Sequence, residues 1–300
     1  MAYQQGGKIE ATDFNTLATS VNGALADIGQ SALPTNLSAG GKVFAADWTS
    51  LINKVASIAS HQGTGITSIS APNASTKVGF RSELSTNITN IRSGRKNASA
   101  QGTDQITTTV NASRWFDRST FTHTITFASA TAAQYFFNGG GQIRLTLSHP
   151  TGSAIDTLFN SLCTAIGTIA LSSPSSGTVT IATATYNGIT KVGGSGTVNT
   201  LLANAGYYGL TGTNQEVFKQ FGTSLAGFGG VNYSQSFISV NMNVSNGGAT
   251  INITTLWDEY PNGLTTVANS TVNCIVRPPS SVYITNTWGT ISVTGTVSST

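Results

Sequence analysis

Chemistry-bearing residues are few in this sequence and widely spaced. Three histidines, two cysteines and eleven carboxylates are spread over 300 residues. His61, His123 and His149 show neither His-x-x-His nor His-Glu-x-x-His spacing, so no metal site is expected. No serine sits in a Gly-x-Ser-x-Gly elbow, the turn that exposes a nucleophile above a sheet. Asp258-Glu259 is the only adjacent acidic pair, and Glu216 could in principle face it across a sugar, but no spacing favours that pairing. Trp257, Tyr260 and Trp288, with Tyr207 and Tyr208, could stack on a glycan if exposed, although aromatics are more often buried. Cys163 and Cys274 lie far apart. They read as two buried thiols, or as one disulfide formed after the protein leaves a reducing cell.

The triple glycine in "YFFNGGGQIR" (135–144) raises the question of a phosphate cradle. A dinucleotide fingerprint needs strand, glycines, then helix, with phosphate at the helix N-terminus. Here a short helical pattern (130–138) precedes Gly139 to Gly141 and a strand pattern follows. The glycines therefore end a helix, where the dipole has the wrong sign for phosphate and left-handed glycine is the usual stop. At least one of them should have positive φ, and alanine there should cost on the order of 1 kcal/mol. No catalytic, cofactor-binding or metal-binding residue is assigned, and no cofactor and no enzyme activity are expected.

Composition points the same way. Charged residues make up 8%, against roughly 25% in an average globular protein. Hydrophobic residues reach 39%, enough for a core. Ser, Thr, Asn, Gln and Gly replace the missing charges and suit β-structure and dense assembly. A net charge of +3 is too small to imply nucleic acid as a partner. The one basic cluster, "RSGRK" (92–96), reads as a solvated loop or subunit contact. "MAYQQGGKIEA" lacks the pattern of a signal peptide, and no apolar run is long enough for a membrane span.

These residues must be positioned by three regions. Residues 1–65 hold a duplication: "GGKIEATDFNTLATSV" (6–21) aligns with "GGKVFAADWTSLINKV" (40–55). Phe14, Leu17, Val21, Leu25 and Ile28, and then Trp48, Leu51, Val55 and Ile58, follow helical spacing. Asp13 and Asp47 fall in each first turn, and Phe14 and Trp48 should pack together or on a neighbour. Residues 66–112 read as a polar linker or extended arm. Residues 113–300 read as a β-rich domain. Phe121, His123 and Ile125 alternate with threonines, as do Ile143, Leu145 and Leu147 with polar residues. Residues 153–167 form an amphipathic helix, 197–230 are loop-rich with a short helix, and turns are signalled at Asn187-Gly188 and at Asn246-Gly247-Gly248. Pro278-Pro279 ends a strand, and 289–300 is an edge strand or an arm. The fold class is α+β: a small N-terminal helical pair, then a mainly antiparallel β-rich domain with a few helices packed on the sheet.

The doubled "GG-K-I/V-x-A-x-D-F/W" units ending in "HQGT" (61–64), together with "FTHTITFASATAAQYFFNGGGQIRLTLS" (121–148), resemble a family of tailed-bacteriophage virion proteins. The match covers about a quarter of the chain and brings no catalytic residues. The resemblance implies a structural virion protein, assembled in the host cytoplasm, at the neck or collar or as a tail appendage. Its partners would be copies of itself, as a ring or trimer, and other virion proteins, without nucleic acid or membrane. A host-recognition module of a tail fibre that binds surface glycan is the alternative, and capsid decoration is a weaker one.

Overall fold

The computed structural model describes residues 11–73, 79, 81–195, 198–222, 233–260 and 266–300. It is an α+β fold in which an N-terminal helical part precedes a β-rich region. Helices α1 (Ala11–Asp27) and α2 (Ala45–Gln62) begin at equivalent alanines of the duplication. Gly6 to Glu10 of the first copy lie outside the described residues. The Phe14 and Trp48 rings meet edge to face, with centroids 5.3 Å apart. Asp47 accepts a hydrogen bond from the Phe44 N–H at 2.8 Å and so satisfies a free donor at the start of α2. The equivalent Asp13 has diverged, and binds Arg81 at 2.8 Å.

Arg81 opens a third helix, α3 (Arg81–Ser93). The sequence suggested a linker or arm over 66–112; instead α3 completes the helical core, and the N-terminal part has three helices rather than two. Leu84, Ile88 and Ile91 are the apolar residues of a Ser/Thr/Asn-rich helix, and they close the core formed by Phe14, Leu17, Val21, Leu25, Trp48, Leu51, Val55 and Ile58. Such a helix has weak propensity and forms because packing overrides it. Asparagines fasten the connecting segments. Asn22 on α1 donates to the Leu33 carbonyl and accepts from its N–H, and Asn87 on α3 does the same with Thr67. Each amide imitates a strand edge, so extended chain lies against a helix with its polar groups satisfied.

The β-rich region contains two larger sheets. One has the order β1 (Ile106–Ala112), β12 (Ser270–Arg277), β3 (Gln142–Ser148), β4 (Thr168–Leu171), β7 (Ile189–Val192). The other runs β13 (Ser292–Ser299), β2 (Arg118–Thr126), β11 (Thr250–Asp258), β10 (Phe237–Ser245), β9 (Gln215–Phe221), β8 (Thr200–Leu201). All pairings within them are antiparallel. Inward residues of both sheets share one core with helices α4 (Ala130–Asn138) and α5 (Ala154–Ile166). Strand β9 occupies part of a stretch that the sequence suggests is loop; its Glu216, Lys219 and Gln220 mask the apolar pair Val217 and Phe218. Cys163 and Cys274 are both buried in this core as free thiols, and burial pushes each up to about 12.

Gly139 to Gly141 end α4 as expected. Gly140 has φ +92°, the Gly141 N–H donates to Phe136 O at 2.9 Å and the Gly140 N–H to Phe137 O at 3.2 Å. This is the Schellman stop. Gly141 also lies against the Phe136 ring, where an added Cβ would stand 2.7 Å away.

Asn187-Gly188, by contrast, does not turn a hairpin. The tight turn nearby is Ala182-Thr183, joining β5 (Val179–Ile181) to β6 (Ala184–Tyr186) with φ of 48° and 71°. Two positive φ values suit a type I′ turn, for which Asn-Gly is the favoured pair and a β-branched threonine is poorly suited. Both residues are exposed. Replacing them as Ala182→Asn with Thr183→Gly should raise stability by about 1 kcal/mol. Urea titration would check this, and an unchanged or lower midpoint would show that the strain is absorbed elsewhere.

The helical part is docked on the β-rich region by polar groups around Ile28. Ile28 joins the large core. Asn138 Nδ2 donates to Asp27 O at 2.7 Å, Thr287 Oγ1 to Ile28 O at 3.0 Å, and His61 Nε2 lies 3.1 Å from Gly139 O. Gly29 takes φ +69° under the Tyr135 ring, which leaves no room for a Cβ.

Candidate functional site

The three histidines are buried, and one of them organises a chain of side chains that sequence spacing does not reveal. His149 follows β3, Asp156 lies in the first turn of α5 and Ser270 begins β12. His149 Nδ1 is 3.0 Å from Ser270 Oγ, and Nε2 is 3.1 Å from Asp156 Oδ1. Trp115 Nε1 donates to Ser270 Oγ at 3.0 Å. The Ala268 N–H donates to Asp156 Oδ1 at 2.8 Å, and Ser153 gives its N–H and its hydroxyl to Oδ2 at 2.9 and 2.7 Å. Burial lowers the His149 pKa below its ordinary 6.5, against the opposing pull of Asp156. Burial also pushes the Asp156 carboxyl up, but the Ala268 N–H, the Ser153 hydroxyl and His149 overrule it and hold the carboxyl below the usual range. At neutral pH the imidazole is thus uncharged. Its Nε2–H donates to Asp156, and Nδ1 accepts the Ser270 hydroxyl proton.

Serine, histidine and aspartate in hydrogen-bonded series are the parts of a nucleophilic triad. The surroundings give them a different role. Ser270 is 0% exposed and His149 4% exposed, with the imidazole packed beside the stacked Phe159 and Trp257 rings at 5.8 Å from each. The serine oxygen already takes the Trp115 N–H, and its proton is spent on His149. The chain joins the ends of β3 and β12, the start of α5 and the loop carrying Trp115 into one fully satisfied buried network, which rigidifies a core.

His61 and His123 are also lowered by burial. The unfolded chain therefore takes up protons below pH 6.5 while the folded chain resists them, so stability is complete above that pH and falls as pH drops through the window beneath it. Each histidine contributes a slope of up to about 1.4 kcal/mol per pH unit. Melting temperature should be flat from pH 8 to 7 and fall steadily toward pH 5, with a shallower fall in a His149→Gln variant. A flat profile across that range would contradict the neutral buried imidazoles.

The remaining candidates do not converge. Asp258 is bound by Arg118 through Nε at 2.9 Å, and Glu259 is buried. Glu216 pairs with Lys219 at 3.6 Å. Glu216 and Asp258 face β10 at Asn241 and Phe237 from opposite sides. At roughly 3.3 Å per residue and 4.8 Å per strand they are well over 10 Å apart, beyond glycosidase spacing. Trp257, Trp288 and Tyr207 are buried, leaving Tyr208 and Tyr260 at the surface. Among the described residues no group of three or more His, Cys, Asp or Glu could hold a metal, and no helix is long and apolar enough to cross a membrane.

Two edge strands are the exposed features of note. Strand β13, "SVTGTVSS", pairs with β2 on one side, and seven of its eight residues are exposed. Strand β1, "ITTTVNA", pairs among the described residues with β12 alone and lies beside β13, with Thr108 Oγ1 3.5 Å from Val293 O. Gly295 lets them approach; a Cβ there would meet Val110. Comparison with protein-family models, with curated proteins and with solved structures finds no match.

Proposed function

We propose that this chain is a structural component of a tailed-bacteriophage particle, acting by packing against copies of itself and against other virion proteins at the neck or collar or as a tail appendage. The observation that carries this reading beyond the sequence resemblance is the exposed outer strand β13, paired among the described residues with β2 and flanked by β1. Natural sheets guard such edges with lysine, other charges or proline. Strands β1 and β13 contain none of these. An uncharged Thr/Ser/Val edge offers backbone groups to another chain at little desolvation cost. Exposed Phe116, beside the C-terminal Thr300, adds apolar surface there.

Light scattering of the purified protein and immunogold microscopy of particles test the reading. A ring or trimer that persists in molar salt is expected, because apolar and hydrogen-bonded contacts are not screened. A stable monomer, absent from purified particles, would overturn it. A truncation series must respect α3. Removing 1–65 alone would strip Leu84, Ile88 and Ile91 of their partners, whereas removing 289–300 takes away β13 with the buried Ile291 and leaves the helical core intact.

A further inference from the structure

A cavity of about 220 Å³ lies where the turn after α3 meets the loop before β5. Arg95, Lys96 and Asn97 form one wall, and Ser175, Ser176 and Thr178 form the other. No carboxylate belongs to either wall. Arg95 is exposed, and among the described residues its one ion pair is a loose 3.6 Å contact with Asp27.

Lys96 carries the argument. It is half-buried, its Nζ lies 4.1 Å over the Tyr208 ring, and among the described residues no carboxylate lies within ion-pairing distance of it. An ammonium taken partly out of water is normally paired, because its desolvation is costly. A ring face compensates only in part. Burial, and then the neighbouring Arg95, lower the Lys96 pKa, with Asp27 opposing. Asn97 Oδ1 accepts from the Thr180 N–H at 2.9 Å, which fixes the amide and leaves Nδ2 as a donor. Two cationic residues, an amide and three hydroxyl-bearing residues line this small volume, a set complementary to a compact anion with several acceptor oxygens.

We propose that this cavity binds a phosphate-type oxyanion, either free or as the monoester of a small polyol. Its volume lies below the roughly 300–1,000 Å³ of sites for larger organic ligands, which limits the group attached to the phosphate. Lys96 supplies the point charge, Arg95 a fork for two oxygens, and the serine and threonine hydroxyls the remaining donors.

Isothermal titration of the full chain with inorganic phosphate, at constant ionic strength set with chloride, tests the site. One saturable event is expected, weakened about tenfold or more by Lys96→Gln and by Arg95→Gln, and less by Lys96→Arg. Arg95 is exposed, so its variant remains informative if the lysine variant folds poorly. Glycerol phosphate in a parallel titration separates the two sources: tighter binding than phosphate marks a monoester site, and equal binding marks a site for the free ion. No saturable binding of either probe tighter than about 10 mM, or binding that both glutamine variants leave unchanged, would overturn the proposal.

Discussion

Replacing Asp156 with alanine should destabilise the protein by about 2–6 kcal/mol, because each of two buried donors left without its acceptor costs roughly 1–3 kcal/mol. The carboxylate accepts from His149, the Ala268 N–H and both donors of Ser153. Alanine would leave the His149 and Ala268 donors unsatisfied in the interior and would also remove the favourable charge at the start of α5. Asp156→Asn should cost less, because Oδ1 can still accept while the amide NH₂ replaces an acceptor facing Ser153. Urea titration of both variants checks the order. The pH profile supplies a second reading: without the carboxylate that opposes burial, His149 becomes still harder to protonate in the folded state. A loss below about 1 kcal/mol for Asp156→Ala would mean that the network is incidental to stability.

That network was not legible in the sequence. His149, Asp156 and Ser270 show no catalytic spacing, and β12 reaches His149 only through pairing over a long sequence separation. The local signals that did exist were the Ser153–Asp156 capping pair before an amphipathic helix and the Pro150 that ends the strand. Where neighbouring residues decide the outcome, sequence reading and structure agree. The alternation of Phe121, His123 and Ile125, the Gly139–Gly141 stop, the Asn246-Gly247-Gly248 hairpin and the offset of the N-terminal duplication are all of this kind.

Agreement fails where tertiary context overrides propensity. Helix α3 is polar enough to read as linker, and only the groove between α1 and α2 makes three apolar side chains sufficient to hold it. Strand β9 hides Val217 and Phe218 among charged and amide residues. Asn187-Gly188 has the composition of a hairpin turn but lies at a backbone crossing, while Ala182-Thr183 turns without turn chemistry. The cavity beside the basic cluster at 92–96 is not legible in the sequence because its opposite wall, Ser175 to Thr178, is far away along the chain.

The same crossing carries the other large expected effect. Gly206→Ala should destabilise by about 3 kcal/mol or more, at the upper end for overpacking. Gly206 has φ −67°, which any residue accepts, so the cost is steric and not conformational. A Cβ would be driven into the Pro174 carbonyl and would stand 2.6 Å from Gly188 Cα and 2.8 Å from Ser172 O. These obstacles are backbone, and they cannot rotate away. They are also fixed by hydrogen bonds: Tyr207 N–H to Ser172 O at 2.9 Å, Ser172 N–H to Gly188 O at 2.8 Å and Ile189 N–H to Ala203 O at 3.0 Å. Making room would break the contacts that hold β7 to the segment leading into β9. Two other glycines provide the scale. Gly193 has φ +69° and open space around its Cβ position, so alanine there should cost only the strain of about 1 kcal/mol. Gly23 is exposed within α1 with nothing nearby, and alanine there should stabilise by about 0.5–1 kcal/mol. Urea titrations of the three variants should therefore rank Gly23→Ala above the parent, Gly193→Ala slightly below it and Gly206→Ala far below. A Gly206→Ala midpoint close to that of Gly193→Ala would show that the three crossing segments can separate cheaply, and that this part of the sheet is held by other contacts.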